Sequence, residues 1–265
     1  MRIYTLGSGH GDSSFSRFNS STVYETDGVL YMVDAGAPCE ALLRRKGLLI
    51  KDLRATFVTH MHDDHAGGLS GLIKQISKYG KKREMDFSLF LPEKTAIEPL
   101  KNWVFALHEN ADFEKIEYKE VNDGLIFEDE NLTVSAIRTA HLRTKGRTEG
   151  DPCSFAYVLY FKKENKKVLH TGDLWMDFSD FPKIAMEEEF DICLCEATHY
   201  DPNTALALLE NSKFKRLLFI HVSDKWHTRI YPGWEVDNGE KRLLDICKTV
   251  PYPVSIAHDG DEYFI

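Results

Sequence analysis

Thr59-His60-Met61-His62-Asp63-Asp64-His65 follows directly on the apolar run Ala55-Thr56-Phe57-Val58 and gathers three imidazoles and two carboxylates within residues 60–65. The apolar run predicts a short buried strand over Ala55–Thr59. Side chains two residues apart project to the same side of an extended strand end, so His60 and His62 can face one way while Asp64 and His65 come from the turn beyond. One segment can therefore feed two adjacent metal ions. Imidazole nitrogen and carboxylate oxygen suit Zn²⁺ and its first-row neighbours, and an open coordination position on such an ion brings the ionisation of water near neutral pH. The expected chemistry is hydrolytic. A His-rich surface turn is the plainer alternative, but a chain with 11 histidines in 265 residues seldom places three so closely by chance.

Composition sets the outer bounds. With 43% hydrophobic and 12% aromatic residues, 265 residues can bury one substantial core, and we expect a single domain over 1–265. A net charge of −9 disfavours a broad grip on long nucleic acid, which needs clustered Lys and Arg. The five cysteines, Cys39, Cys153, Cys193, Cys195 and Cys247, are scattered without a CxxC pair, so neither a disulfide framework nor a thiolate zinc site is signalled. Residues 1–7 read as a strand rather than a secretory leader, and no apolar run approaches membrane-spanning length. The expectation is a soluble cytoplasmic protein.

Around the cluster the chain reads as strands interrupted by helices. Strands are expected at Ile3–Leu6, Thr22–Thr26 and Val29–Val33, with Asp27-Gly28 as a hairpin turn. Leu69, Leu72, Ile73 and Ile76 recur at helical spacing until Gly80, which puts the cluster on a strand-to-helix turn. Phe87–Leu91 predicts a strand. In a helix from about Glu93 to His108, Ile97, Leu100, Val104 and Leu107 form one face, read as core packing, with a homodimer surface left open. Further strands are expected at Leu132–Thr139, Phe155–Phe161, Val168–His170, Ile192–Cys195, Leu217–Val222, Val254–Ala257 and Tyr263–Ile265, with helices at Asn203–Asn211 and Gly239–Lys248. Without regular βαβ alternation, the pattern favours an α+β or layered αββα design over a doubly wound sheet. Leu142–Ser154, with Arg143, Lys145 and Arg147, is the one long loop, as readily functional as merely solvated.

Other metal-ligating types sit where these strands end: His141, Asp173, Glu196, His199 and His221. A two-metal site needs an oxygen donor for both ions, and Asp173 is the candidate bridge. The ordered set His60, His62, Asp64, His65, His141, Asp173, His221 resembles the metallo-β-lactamase superfamily. Leu6-Gly7-Ser8-Gly9, Asn19-Ser20-Ser21, Met32-Val33-Asp34-Ala35-Gly36, Glu196-Ala197-Thr198 and Ala257-His258-Asp259-Gly260 are similar to its ribonuclease Z and cyclic phosphodiesterase branch. The resemblance implies an αββα sandwich in which His60, His62 and His141 hold one ion, Asp64, His65 and His221 the other, and Asp173 lies between. It implies two divalent ions, Zn²⁺ first, with Mn²⁺ or Fe²⁺ able to replace it. Asp34 then either orients a ligand imidazole through its N–H or caps a turn. Ser223 and Lys225 fall where members of the family contact substrate phosphate.

Two departures matter. Ribonuclease Z has a His before Glu-Ala-Thr that assists the leaving group, and here that position is Cys195, so either His199, His227 or a metal-bound water takes the role or the chemistry needs less acid assistance. The tRNA-clasping arm of that enzyme is inserted ahead of the bridging Asp, whereas only residues 142–172 separate His141 from Asp173. A small anionic phosphodiester or nucleotide is therefore the expected substrate, attacked by a hydroxide shared between the ions, with Asp64 essential. The alternatives are a carbonyl hydrolase for a thioester, lactone or β-lactam, and a metal- or ligand-binding protein without turnover.

Overall fold

The computed structural model describes residues 1–12, 14–79, 86–109, 111–114, 116–142, 153–226, 229–231, 234–235 and 238–265. Strands β1 (Arg2–Gly7), β2 (Ser21–Thr26), β3 (Val29–Val33), β4 (Leu53–Phe57), β5 (Phe87–Leu91) and β6 (Ile116–Glu120) belong to one sheet. It is closed at its outer edge by the C-terminal strand, Asp261–Phe264, in the order C-terminal strand, β1, β2, β3, β4, β5, β6. β7 (Gly124–Glu128), β8 (Leu132–Thr139), β9 (Ser154–Phe161), β10 (Lys166–His170), β11 (Ile192–Ala197) and β12 (Leu217–Val222) form the second sheet, with Val254–Ile256 beyond β12. Each sheet is antiparallel at its hairpin end and parallel elsewhere.

Alternation along the strands makes three apolar layers. Tyr31, Val33, Ala55 and Phe57 of the first sheet face Phe127, Val134, Tyr157, Leu159, Val168, Ile192 and Leu194 of the second. The opposite parity of β3, Leu30 and Met32, packs against the helices Cys39–Arg45 and Leu69–Tyr79, whose Leu42, Leu69, Leu72, Ile73 and Ile76 line one stripe. On the far side Leu169, Cys193, Cys195, Leu217 and Phe219 meet Leu209 of the helix Pro202–Asn211 and Leu243 of the helix Gly239–Ile246. Because both faces of the strands are covered, helix, sheet, sheet, helix is the resulting stack. This is the αββα sandwich expected. No helix among the described residues is long and apolar enough to cross a membrane.

Several expectations are corrected in detail. β4 ends at Phe57 rather than Thr59, because the Thr59 N–H turns away from the ladder to the Asp34 carboxylate at 2.7 Å. β6 and β7 were not expected: they carry Glu117, Lys119 and Glu128 on solvent-facing sides, which hides the apolar signal. In the helix Ile97–Leu107, Val104 is buried and Ile97 and Leu100 pack on the core, but Leu107 is 46% exposed and does not join it. Gly80, residues 143–152 with Arg143, Lys145 and Arg147, and His227 lie outside the described residues.

Candidate metal centre

All the polar strand ends named above meet at one rim of the sandwich, between the sheets. Beyond β4 the backbone carries His60 and His62, and a single helical turn, Asp63–Ala66, carries Asp64 and His65. His141 follows β8 and Asp173 follows β10. His221 lies within β12 at φ +47°, where Ala197 pairs with Val222 instead of with residue 221. That bulge inserts an extra residue and turns the His221 side chain toward the site.

The donor atoms fall into two sets. His60 Nε2 lies 3.0 Å from His62 Nδ1, and both His60 Nε2 and His141 Nε2 approach Asp173 Oδ2, at 3.5 and 3.6 Å. In the second set, Asp64 Oδ2 is 3.0 Å from His221 Nε2 and 3.3 Å from His65 Nε2. Asp173 Oδ1 completes it, 3.3 Å from His65 Nε2 and 3.5 Å from His221 Nε2. Asp173 therefore turns one oxygen to each set. A tetrahedral ion with nitrogen ligands about 2.1 Å away holds them about 3.4 Å apart, so these spacings fit a divalent ion in each set. His65 Nε2, His141 Nε2 and Asp173 Oδ1 are buried without a hydrogen-bond partner among the described residues. Uncompensated burial of three such atoms is costly, and a cation would satisfy all three.

The electrostatics agree. Burial alone would raise the Asp173 carboxyl, but the imidazoles of His221, His65 and His60 hold it well below the usual carboxylate range. Burial and the charge of His65 push His60 down, while Asp173 and Asp34 overcome burial and raise His65. Asp64 is likewise held low against its own burial by His221 and His65.

Partners behind the donors fix their orientation. Asp34 Oδ2 accepts from His65 Nδ1 at 2.8 Å, so Asp34 fixes the orientation of the His65 imidazole rather than merely capping a turn. The Thr198 hydroxyl donates to the His221 carbonyl and accepts from His221 Nδ1 at 3.1 Å, leaving Nε2 of His221 for the second set. Glu196 is fully buried; its Oε1 accepts from Leu174 N–H (2.8 Å) and His199 Nδ1 (3.0 Å), and its Oε2 from the N–H groups of Thr198 (2.8 Å) and His199 (3.0 Å). Burial lowers the His199 imidazolium, but the hydrogen bond to Glu196 and the charge of Asp173 outweigh it and raise the group to about 9. The His199 ring lies 4.5 Å from that of His141 and 5.4 Å from that of His221, and Asp173, His199 and His221 form a third group of converging donors. Cys195 points the other way. On the opposite parity of β11 to Glu196, it packs in the outer core with Sγ 3.4 Å from the Tyr200 hydroxyl.

Ser223 follows β12, and Lys225 lies on the single 3₁₀ turn Asp224–Trp226 beyond it. Lys225 Nζ donates to the Thr198 carbonyl at 3.1 Å and sits over the Trp226 ring. His10, from the loop after β1, accepts the Asp224 N–H on Nε2 at 3.2 Å, and its ring lies 6.5 Å from that of His221. Thr198, His10 and the buried pair Tyr24 and His170, with the Tyr24 hydroxyl 2.9 Å from His170 Nδ1, were not anticipated. Tyr24 and His170 carry one sequence signal, a polar group at a position that strand alternation assigns to the interior, whereas His10 and Thr198 lie past the ends of β1 and β11 and carry none.

A family model described as "Anti-Pycsar protein Apyc1" matches residues 1–229. Ribonuclease Z of Bacteroides fragilis is 26% identical over 142 residues, covering 53% of this chain and 46% of that protein. The chain thus spans about half the length of the curated relatives it matches. Among solved structures, the metallo-β-lactamase fold protein YhfI from Bacillus subtilis superposes with a TM-score of 0.73 at 16% identity, covering 99% of this chain and 98% of that one. A diphosphatase from the PhnP family superposes at 0.69 and 21% identity, covering 100% and 97%. At such identities the structural likeness is one of fold. Taken with the match over residues 1–229, it establishes that the chain has the metallo-β-lactamase fold and belongs to the family of the anti-Pycsar protein Apyc1.

Proposed function

We propose that the chain is a two-metal phosphodiesterase acting on a small anionic phosphodiester or nucleotide. The observation that carries this reading is Asp173, which turns one carboxylate oxygen to each of two donor sets. His60, His62 and His141 with Asp173 Oδ2 would hold one divalent ion, and Asp64, His65 and His221 with Asp173 Oδ1 the other; Zn²⁺ is the ion we propose first, with Mn²⁺ and Fe²⁺ as replacements. When bound, such a pair supplies Lewis acidity that ionises water near neutral pH and neutralises charge gathering on phosphoryl oxygens.

The side chains do the rest. Asp64, which would be a ligand through Oδ2, also borders Gly11, where an added Cβ would stand 3.5 Å from that oxygen. His199, with Nδ1–H donated to Glu196, is placed to hold a proton at Nε2 for the departing oxygen. Ser223 and Lys225, just beyond His221 in the chain, are the residues we propose for contact with the substrate phosphate. Two features support bonds to phosphorus over acyl bonds: ribonuclease and diphosphatase are the names carried by relatives of this fold, and the Glu196-Ala197-Thr198 segment builds one wall of the site. The net charge of −9 and the short stretch of residues 142–172 before Asp173, in which β9 and β10 take 154–161 and 166–170, favour a small partner over long nucleic acid.

The test is a substrate panel on the metal-loaded protein: bis-p-nitrophenyl phosphate, a cyclic mononucleotide, a lactone and a thioester. Turnover of the phosphodiesters, abolished by Asp64→Ala, is expected. Preference for the lactone or thioester would reassign the site to acyl chemistry, and a metal-loaded protein inert to all four would make it a binding protein.

A further inference from the structure

We infer that Thr59 is a positioning residue whose hydroxyl ties the first donor set to the same buried carboxylate that orients the second. Asp34, Thr59, His60 and His65 are all buried. An ionised carboxylate only accepts, so His65 must donate Nδ1–H to Asp34 Oδ2 at 2.8 Å, which leaves its Nε2 bare for the second set. The Thr59 hydroxyl lies 2.9 and 3.0 Å from the two Asp34 oxygens, and its single proton goes to them. Its lone pairs then remain for His60 Nδ1, 3.1 Å away, which donates to it. That bond fixes His60 in the tautomer whose Nε2 faces His62 and Asp173.

One anion thus sets an imidazole of each ion position, directly through His65 and through one hydroxyl for His60. The hydroxyl is itself held. Gly172, at φ +58° and next to the bridging Asp173, leaves room where a Cβ would stand 2.9 Å from Thr59 Cβ and 3.0 Å from its Cγ2, so the threonine methyl packs into the space of the missing side chain. The Thr59 carbonyl accepts from Phe155 N–H at 2.9 Å, joining the two sheets at this point. A valine at 59 keeps the shape and the methyl contact and removes only the hydrogen bonds.

This inference rests on the two-ion reading of the site, and its test reads metal binding rather than turnover. Wild type, Thr59→Val and Thr59→Ser are titrated with Zn²⁺ against a chromophoric chelator, and with Co²⁺ by its visible absorption. Loss of a partner behind a ligand imidazole weakens metal binding about 10–100-fold. Thr59→Val should lose that much at one of the two sites and keep the other near wild type, while Thr59→Ser, which retains the hydroxyl, should keep both. Thr59→Ala, read in parallel, carries the same expectation should the valine strain the turn. Two wild-type affinities in both Val and Ala variants would overturn the assignment, as would equal loss at both sites in a variant whose circular dichroism is native. A wild-type protein that takes up fewer than two ions would take the two-ion reading down with it, an outcome visible before any variant is made.

Discussion

Replacing Glu196 by Gln asks how far the rim of the second sheet depends on one buried anion. The carboxylate accepts four hydrogen bonds, two on each oxygen, from the N–H groups of Leu174, Thr198 and His199 and from His199 Nδ1. Glutamine has the same outline but turns one oxygen into a donor. Placed at Oε2, the NH₂ group would face two backbone N–H groups, neither of which can adapt. At Oε1 it would face Leu174 N–H and His199, and the imidazole can adapt by moving its proton from Nδ1 to Nε2. The amide should settle this second way, leaving one buried backbone donor unsatisfied at about 1–3 kcal/mol. We therefore expect Glu196→Gln to lose about 2 kcal/mol, read by urea unfolding of the metal-free protein at neutral pH. With the anion gone and burial left as the largest influence, His199 should also titrate well below about 9, read by NMR of its ring protons. Unchanged stability, or a His199 that still titrates near 9, would refute this assignment of the hydrogen bonds.

His170, fully enclosed beside Tyr24, is pushed down by burial to about 4. Its folded value lies below the unfolded one of about 6.5, so the unfolded chain binds the extra proton and stability falls as pH drops through that window, by on the order of 3 kcal/mol in full. His170→Gln should flatten the stability profile between pH 4 and pH 6.5 relative to wild type in denaturant titrations; an unchanged slope would show that His170 is not held neutral. At Gly36 an added Cβ would stand 2.2 Å from the Asp64 carbonyl oxygen and 2.7 Å from Asn19 Cβ. Gly36→Ala should cost about 1–3 kcal/mol and reduce uptake of the ion that we propose for the Asp64 set, seen as a lower melting midpoint and lower metal content. Zn²⁺ at a free concentration of about 100 times its Kd should stabilise the native chain by about 2.7 kcal/mol per site, and a melting midpoint indifferent to metal would argue against the donor sets.

The convergence of these side chains was legible because its signal is local: four of them fall in one short segment, and the remaining three sit at or near the ends of strands whose alternation is plain. The first sheet was readable through β5, where apolar runs are short and unambiguous, but β6 and β7 mix charge with apolar residues and gain their order from a neighbouring strand. His221 was expected as a strand-end ligand, yet what aims it is a bulge against β11, a property of register between distant segments. Cys195 shows the same dependence. Its position beside Glu196 marked it as standing in for a catalytic group, whereas the parity of β11 turns it into the outer core and leaves His199, one turn of backbone beyond, to face the donors. Thr59 and Thr198 were silent for another reason: a threonine in a β-rich chain is ordinary, and only the placement of a carboxylate and an imidazole around its hydroxyl distinguishes it.

The central claim is that seven side chains hold two ions with Asp173 between them. Anomalous diffraction at the zinc edge, from crystals of the zinc-loaded protein, tests it most directly. Two peaks are expected, one among His60, His62, His141 and Asp173 Oδ2 and one among Asp64, His65, His221 and Asp173 Oδ1. A single peak at this rim, or peaks away from Asp173, would contradict the account.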